Sequence, residues 1–157
     1  MEQPVFGFWK PEGPNGFCGQ WYPSKFVDTE GHTYECTEQY MMYAKAKLFN
    51  DDETAKKILE TNSPKLMKNL GRQVKGFVES VWDQHKFNIV VEGNMLKFTQ
   101  NPDLKEMLLA TGTSTLVELS PLDKIWGVGT EDPNPAYWNG QNLLGKALME
   151  VRRRLQN

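Results

Sequence analysis

Two cysteines and two histidines are all that these 157 residues offer to disulfides or soft metals. So few cysteines cannot staple a scaffold, and neither Cys18 nor Cys36 has partners at metal-ligand spacing; both are expected to be reduced thiols. His32 and His85 lack companion ligands as well, so no metal and no cofactor is expected. No stretch approaches the ~20 apolar residues that cross a bilayer. The opening MEQPVFGFWKPEGPNGF has no basic start followed by an apolar run, unlike a secretory signal. The expected location is the cytoplasm, with the nucleus as a second compartment. Excess charge is also missing: 18 basic residues against 20 acidic ones leave a net −2. Contact with nucleic acid or phosphate would therefore come from a local patch. GxSxG, HExxH and GxxxxGK[ST] are absent, and GVGTED is not a dinucleotide fingerprint because no helix pattern opens from it.

What the chain does have is aromatic and turn-forming residues, with five Trp and thirteen Gly. Its length fits one compact domain, 1–157, able to bury about two-thirds of its unfolded surface. The first ~36 residues read as short strands and tight turns, with KFVDTEGHTYEC as a hairpin around Glu-Gly. A helix is expected over about 37–49, capped by Thr37 with Glu38 in its first turn. DDETAKKILETN and SPKLMKNLG predict two short helices, the second opened by Ser63 and Pro64 and closed by Gly71. Phe87, Val90, Val91, Met95 and Phe98 recur at helical spacing, and NPDLKEMLLATG restarts a helix. STLVELS and DKIWGVGT read as strands. A last helix carries the stripe Leu143, Leu144, Ala147, Leu148, Val151 and Leu155, with the arginines of RRR as favourable last-turn cations. Strands at both ends and helices between them predict an α+β fold, mainly helical, with a small sheet formed by N-terminal and C-terminal strands.

TEQYMMYAKAKLF raises a chemical question. Glu38 and Lys45 stand seven residues apart, close to two turns, on nearly one face and roughly 10 Å apart along the axis. Met41 and Met42 lie between them, and a methionine-bearing face normally turns inward. Partial desolvation there would raise the Glu pKa and lower the Lys pKa toward a useful range. Charges bordering an apolar stripe usually just reach solvent, so spacing alone favours rim charges.

A second constellation is VELSPLDKIWGVGTEDPNPAYWNGQNLLG. Trp126 and Trp138 could hold a flat base where glycines permit close approach, and amides near Asn142 and Gly145 could receive a phosphate. Core packing and turn geometry explain each of these residues singly; their density invites a functional reading.

The order GFCGQWYPSKF, EQYMMYAKAK, LGRQV, VW, KFTQNP, LLATGTSTLVELSPLDKIWGVG and WNGQNLLGKALMEVR resembles the NADAR superfamily from about Gly16 to Arg152. The resemblance implies N-glycosidase activity: hydrolysis of the bond between a ribose carbon and the nitrogen of a purine or aminopyrimidine. Implied ligands are ADP-ribose on guanine in DNA or RNA, or the ribosylamino-pyrimidine intermediates of riboflavin biosynthesis. No obligate protein partner is implied. Glu38 and Lys45 match the ends of the family's EHxYQxxK-like helix, Asp123, Trp126 and Gly127 its D..WG segment, and Asn142 and Gly145 its GxNxLG segment. Gln39 replaces the commoner His, Tyr43 falls beyond the usual Gln, and Gly19-Gln20-Trp21 stands where many members have SNF. These departures bear on substrate preference rather than reaction type.

On that resemblance Lys45, Glu38 and Asp123 are the expected catalytic groups, Lys45 through a transient imine and the carboxylates by moving protons. Direct water attack on an oxocarbenium-like carbon is the alternative, with Lys45 holding an oxygen or phosphate. Gln20, Trp21, Arg72, Trp82, Trp126, Gly127, Asn142 and Gly145 are the expected substrate contacts. Trp82 and Trp126 would stack base or ribose, and Arg72 would meet a phosphate. A module that binds ADP-ribose without turnover is a third reading, disfavoured by the joint presence of Glu38, Lys45 and Asp123.

Overall fold

The computed structural model describes residues 4–156. They fall into two compact units, Met1–Tyr22 with Pro102–Asn157, and Pro23–Asn101. The fold is α+β: among the described residues, six α-helices accompany two small two-stranded sheets.

In the Pro23–Asn101 unit, β2 (Phe26–Val27) and β3 (Thr33–Tyr34) form the expected antiparallel hairpin. Asp28 closes it, accepting from the amides of Glu30 and His32 and from the Tyr34 hydroxyl. Four helices follow: α1 (Thr37–Leu48), α2 (Asp52–Glu60), α3 (Pro64–Arg72) and α4 (Glu79–Gln100). Asp51 caps α2 through the Thr54 amide, and Ser63 caps α3 through the Leu66 amide, as side-chain oxygens do for orphan N–H groups. Helix α1 packs against α2, α3, α4 and β3. That enclosure buries Thr37, Glu38 and Gln39 along with Met41, Met42 and Ala46.

Two details differ from expectation. The N-cap of α1 is Cys36, and Thr37 is its first, buried helical residue. Gly71 does not end α3; it lies inside the helix, where a Cβ would strike Met42 Sδ. Close approach to α1, not termination, requires glycine there.

In the other unit, β1 (Val5–Phe8) pairs in parallel with β4 (Thr115–Glu118), so the N-terminal and C-terminal strands form the small sheet. Helices α5 (Pro102–Ala110) and α6 (Leu143–Leu155) complete it, around Phe8, Leu108, Leu116, Val117, Leu144, Leu148 and Val151. Each such side chain, fully enclosed, stabilises the fold by roughly 1.5–3 kcal/mol. Arg152 is not a solvated last-turn cation: it is buried, donating to Thr111 Oγ1 and to the Ser114 carbonyl, both at 2.8 Å.

DKIWGVGT is not a strand. The carbonyls of Lys124, Ile125, Trp126 and Gly127 accept from the amides of Gln141, Leu143, Leu144 and Asn142. A segment whose carbonyls fan onto the start of a helix cannot also form a ladder.

Gly93, inside α4, faces Tyr40 of α1, and a Cβ there would lie 2.6 Å from Tyr40 Cδ1. Gly93→Ala gains up to about 1 kcal/mol of helix propensity but overpacks a ring, costing about 1–3 kcal/mol. Net destabilisation on the order of 1 kcal/mol is expected, read as a lower urea midpoint at unchanged m-value.

Candidate functional site

The candidate residues of the Pro23–Asn101 unit gather around α1. Its enclosure leaves the Glu38 side chain, in the first turn, with 6% exposure. Two turns on, the half-buried Lys45 reaches between aromatic faces, its Nζ 4.6 Å from the ring centroid of Phe77 and 5.6 Å from that of Trp82. Burial pushes the Lys45 pKa below the ordinary lysine value; the Glu38 carboxylate opposes the shift and the Arg72 guanidinium adds to it. An amine so placed holds a larger neutral, nucleophilic fraction near neutral pH than a surface lysine does.

Each neighbour is held by local structure. Trp82 sits in the first turn of α4 and is buried, its amide bonded to the Val78 carbonyl. Arg72 occupies the last turn of α3 and is exposed. Phe77 belongs to the irregular stretch 73–78, where Gly76 has φ +78°. Asp51 ties this stretch down: the oxygen not used to cap α2 accepts from the Lys75 amide at 2.9 Å. Phe49, the C-cap of α1, meets the Phe77 ring edge-on at 5.4 Å. Phe77 itself stays 43% exposed, so one wall of the lysine's surroundings is open to a visitor.

Glu38, Lys45, Arg72 and Trp82, chosen from sequence, are thus brought together within this unit. Phe77 was not foreseen; its only signal was an aromatic beside a glycine in a linker. Gln39, noted as a departure from the family's histidine, is a structural tie. Its Nε2 donates to the carbonyls of Ile58 and Thr61, and its Oε1 accepts from the Glu35 amide. A groove of about 730 Å³ lined by residues including Thr33, Glu35, Gln39, Lys57, Asn62 and Leu66 lies in the same unit. Its lining includes neither Glu38 nor Lys45, and its glutamine is already spent on backbone.

The remaining candidates lie in the other unit. Asp123 Oδ1 accepts from the amides of Ile125 and Trp126, both at 2.8 Å, fixing the turn that presents its carboxylate. Trp126 is half-buried, and Gly127 is buried where a Cβ would come within 3.0 Å of the Asp123 and Glu118 carbonyls. Asn142, at φ 54°, caps α6 from a left-handed conformation. Its side chain donates to the Leu116 carbonyl and accepts from the Glu118 amide, imitating a strand neighbour for β4. Gly145 lets α6 approach the Leu116 carbonyl. The amides of Asn142, Leu143 and Leu144 bond to backbone carbonyls, so those three are spent within the protein. Gln20 is half-buried and Trp21 exposed, just beyond the 3-10 turn Gly16–Cys18.

Both cysteines are free and buried, and burial pushes the Cys36 thiol up to about 11. Among the described residues no cluster of three or more His, Cys, Asp or Glu could hold a metal, and no helix is long and apolar enough to cross a membrane.

The NADAR domain family model matches residues 7–156. An N-glycosidase of Acanthamoeba polyphaga mimivirus is 49% identical over 142 residues, covering 85% of this chain and 84% of its own. A riboflavin biosynthesis protein of Vibrio vulnificus is 31% identical across 99% of this chain, which spans 40% of that protein. The NMR structure of the Escherichia coli protein YbiA matches with a TM-score of 0.82 at 26% identity, covering 99% of this chain and 87% of that one.

Because burial is the largest cause of the Lys45 shift, opening the aromatic wall should undo part of it. In Phe77→Ala, the Lys45 amine is expected to titrate at higher pH than in the wild type. Carbon-13 NMR of the reductively methylated lysines, with Lys45→Arg identifying the resonance, checks this.

Proposed function

Because this chain belongs to the NADAR domain family, we propose that it is a hydrolase of N-glycosyl bonds that separates the ribose of ADP-ribose from a guanine base, reversing guanine ADP-ribosylation of nucleic acid. The observation that carries this reading is the Lys45 amine, half-buried against Phe77 and Trp82 and electrostatically coupled to the buried Glu38.

The reaction is written through an imine. The exocyclic nitrogen of the base uses its lone pair to expel the ribose ring oxygen, which takes a proton. The neutral Lys45 amine adds to the resulting C=N carbon. A proton passes from Nζ to the base nitrogen, its bond to carbon breaks, and the base leaves as the free amine. Water then adds to the Lys45 imine, releases the amine and leaves the sugar aldehyde, which recloses. The anomeric carbon is already at the aldehyde level, so no oxidant is needed. Glu38 and Asp123 are the proposed proton carriers, Asp123 on its motif and its fixed turn. Arg72, exposed at the end of α3, is the proposed phosphate contact. Trp82, with 9% exposure, walls the amine, and the more open Phe77 is a proposed stacking surface for the base; Trp126 is proposed to stack base or ribose on its motif alone. Gln20, Trp21 and Gly127 complete the proposed substrate contacts, whereas Asn142 and Gly145 are engaged in joining α6 to β4.

The Vibrio relative supports a second reading, hydrolysis of ribosylamino-pyrimidine intermediates of riboflavin biosynthesis. The bond is of the same type, an exocyclic amine on a ribose carbon, and the same lysine chemistry applies.

Wild type and Lys45→Ala incubated with guanosine-ADP-ribosylated DNA distinguish these possibilities. Wild type is expected to release free ADP-ribose, seen by mass spectrometry, and borohydride is expected to trap a covalent adduct. Lys45→Ala should lose the adduct and at least about a hundredfold in rate. Intact DNA alongside cleaved ribosylamino-pyrimidine would select the second reading; turnover without a trapped adduct would select direct water attack. Glu38→Gln is expected to slow release by on the order of 10²–10⁴.

A further inference from the structure

Lys97 has no exposed surface. Lysine is among the side chains least often enclosed, and an enclosed ammonium persists only beside an anion. The crossing of α1 and α4 brings Lys97 to the start of α1. Gly93 and Tyr40 mark where the helices meet. One turn back along α1 from Tyr40 is Cys36, and one turn on along α4 from Gly93 is Lys97. The Lys97 charge accordingly draws the Cys36 pKa down while the Glu38 carboxylate draws it up.

The other ionisable groups around this crossing are poor counter-ions. The Cys36 thiol, pushed up to about 11 chiefly by burial, is neutral at physiological pH. Tyr40 is pushed upward by burial and stays a phenol. Lys45, further along α1, is itself a base. Beside β2, Asp28 is engaged by His32 and Tyr34, and on α4 Glu92 is exposed. Glu38 is the buried carboxylate of this unit's first long helix, and it stands where the helix dipole favours an anion and disfavours a lone ammonium.

We propose that Lys97 is a positioning residue for the reaction: its enclosed ammonium holds the Glu38 carboxylate ionised and fixed at the start of α1. The inference rests on Glu38 being a proton-transfer group, as in the reading above. An ionised Glu38 can accept a proton but not donate one first, which assigns it the activation of water for imine hydrolysis.

Lys97→Met keeps the stem and removes the charge. The test follows the Glu38 carboxyl by carbon-13 NMR of glutamate-labelled protein, assigned with Glu38→Gln, alongside the pH dependence of the rate at which the borohydride-trappable imine decays to free ADP-ribose. In Lys97→Met both the carboxyl titration and the acid limb are expected to move to higher pH, with a loss of at least about tenfold at neutral pH that recovers as pH rises. Lys97→Arg, which keeps the charge, should leave both near wild type. Recovery with pH is not what damage to the fold would give. A carboxyl that titrates alike in wild type and Lys97→Met overturns the proposal. A Glu38 already protonated at neutral pH in the wild type overturns it too, and needs no variant. If the carboxyl shifts while the acid limb stays, the pairing stands but Glu38 is not the catalytic base, and the role of Lys97 in the reaction falls with it.

Discussion

Helix α1 is enclosed by α2, α3, α4 and the hairpin strand β3. A helix covered on so many sides buries the polar residues of its first turn, Thr37, Glu38 and Gln39, so these must find partners inside, while Lys47 reaches solvent. Gln39 spends its amide on three backbone groups. Glu38 and Lys45 instead interact through space, in surroundings that penalise charge. The covering helices are themselves set by small local devices: Asp51 and Ser63 as caps, Gly71 and Gly93 as points of close approach. Removing a methyl group at two positions is what lets two helices come near enough to desolvate a third.

The same enclosure explains why the charges of α1 are not interchangeable. Glu38 lies deep, at the positive end of the helix dipole, where an anion is favoured; Lys45 lies where one aromatic wall is open. Burial lowers the amine's proton affinity while the Phe77 and Trp82 faces attract its ammonium form. The balance leaves an amine with a larger neutral fraction than a surface lysine has, which is what the proposed imine chemistry calls for.

Much of this was legible in the sequence because it is local. The Asp51 and Ser63 caps, the hairpin around Glu30-Gly31, the stripe of α6 and the two-turn spacing of Glu38 and Lys45 all depend on neighbours within a few residues. What escaped depends on partners far along the chain. Nothing local marks Lys97 as enclosed; the Tyr40–Gly93 contact fixes which side of α4 is covered. DKIWGVGT has the composition of a strand, but its carbonyls bond to the start of α6. Thr37 has the chemistry of a cap, yet the chain turns helical one residue earlier than that role allows. Gly71 looks like punctuation and is clearance for Met42.

The parallel register of β1 and β4 sets Val5 opposite Thr115. During synthesis the first strand therefore emerges long before its partner, while the whole Pro23–Asn101 segment is completed in between. The contacts within that segment are closer in sequence than the β1–β4 pairing, and shorter loops close at lower entropic cost. The region bearing Glu38 and Lys45 thus has the means to consolidate on the ribosome first, with the terminal sheet as the last and slowest closure. Until then β1 is an unpaired strand whose backbone N–H and C=O groups are open to another strand.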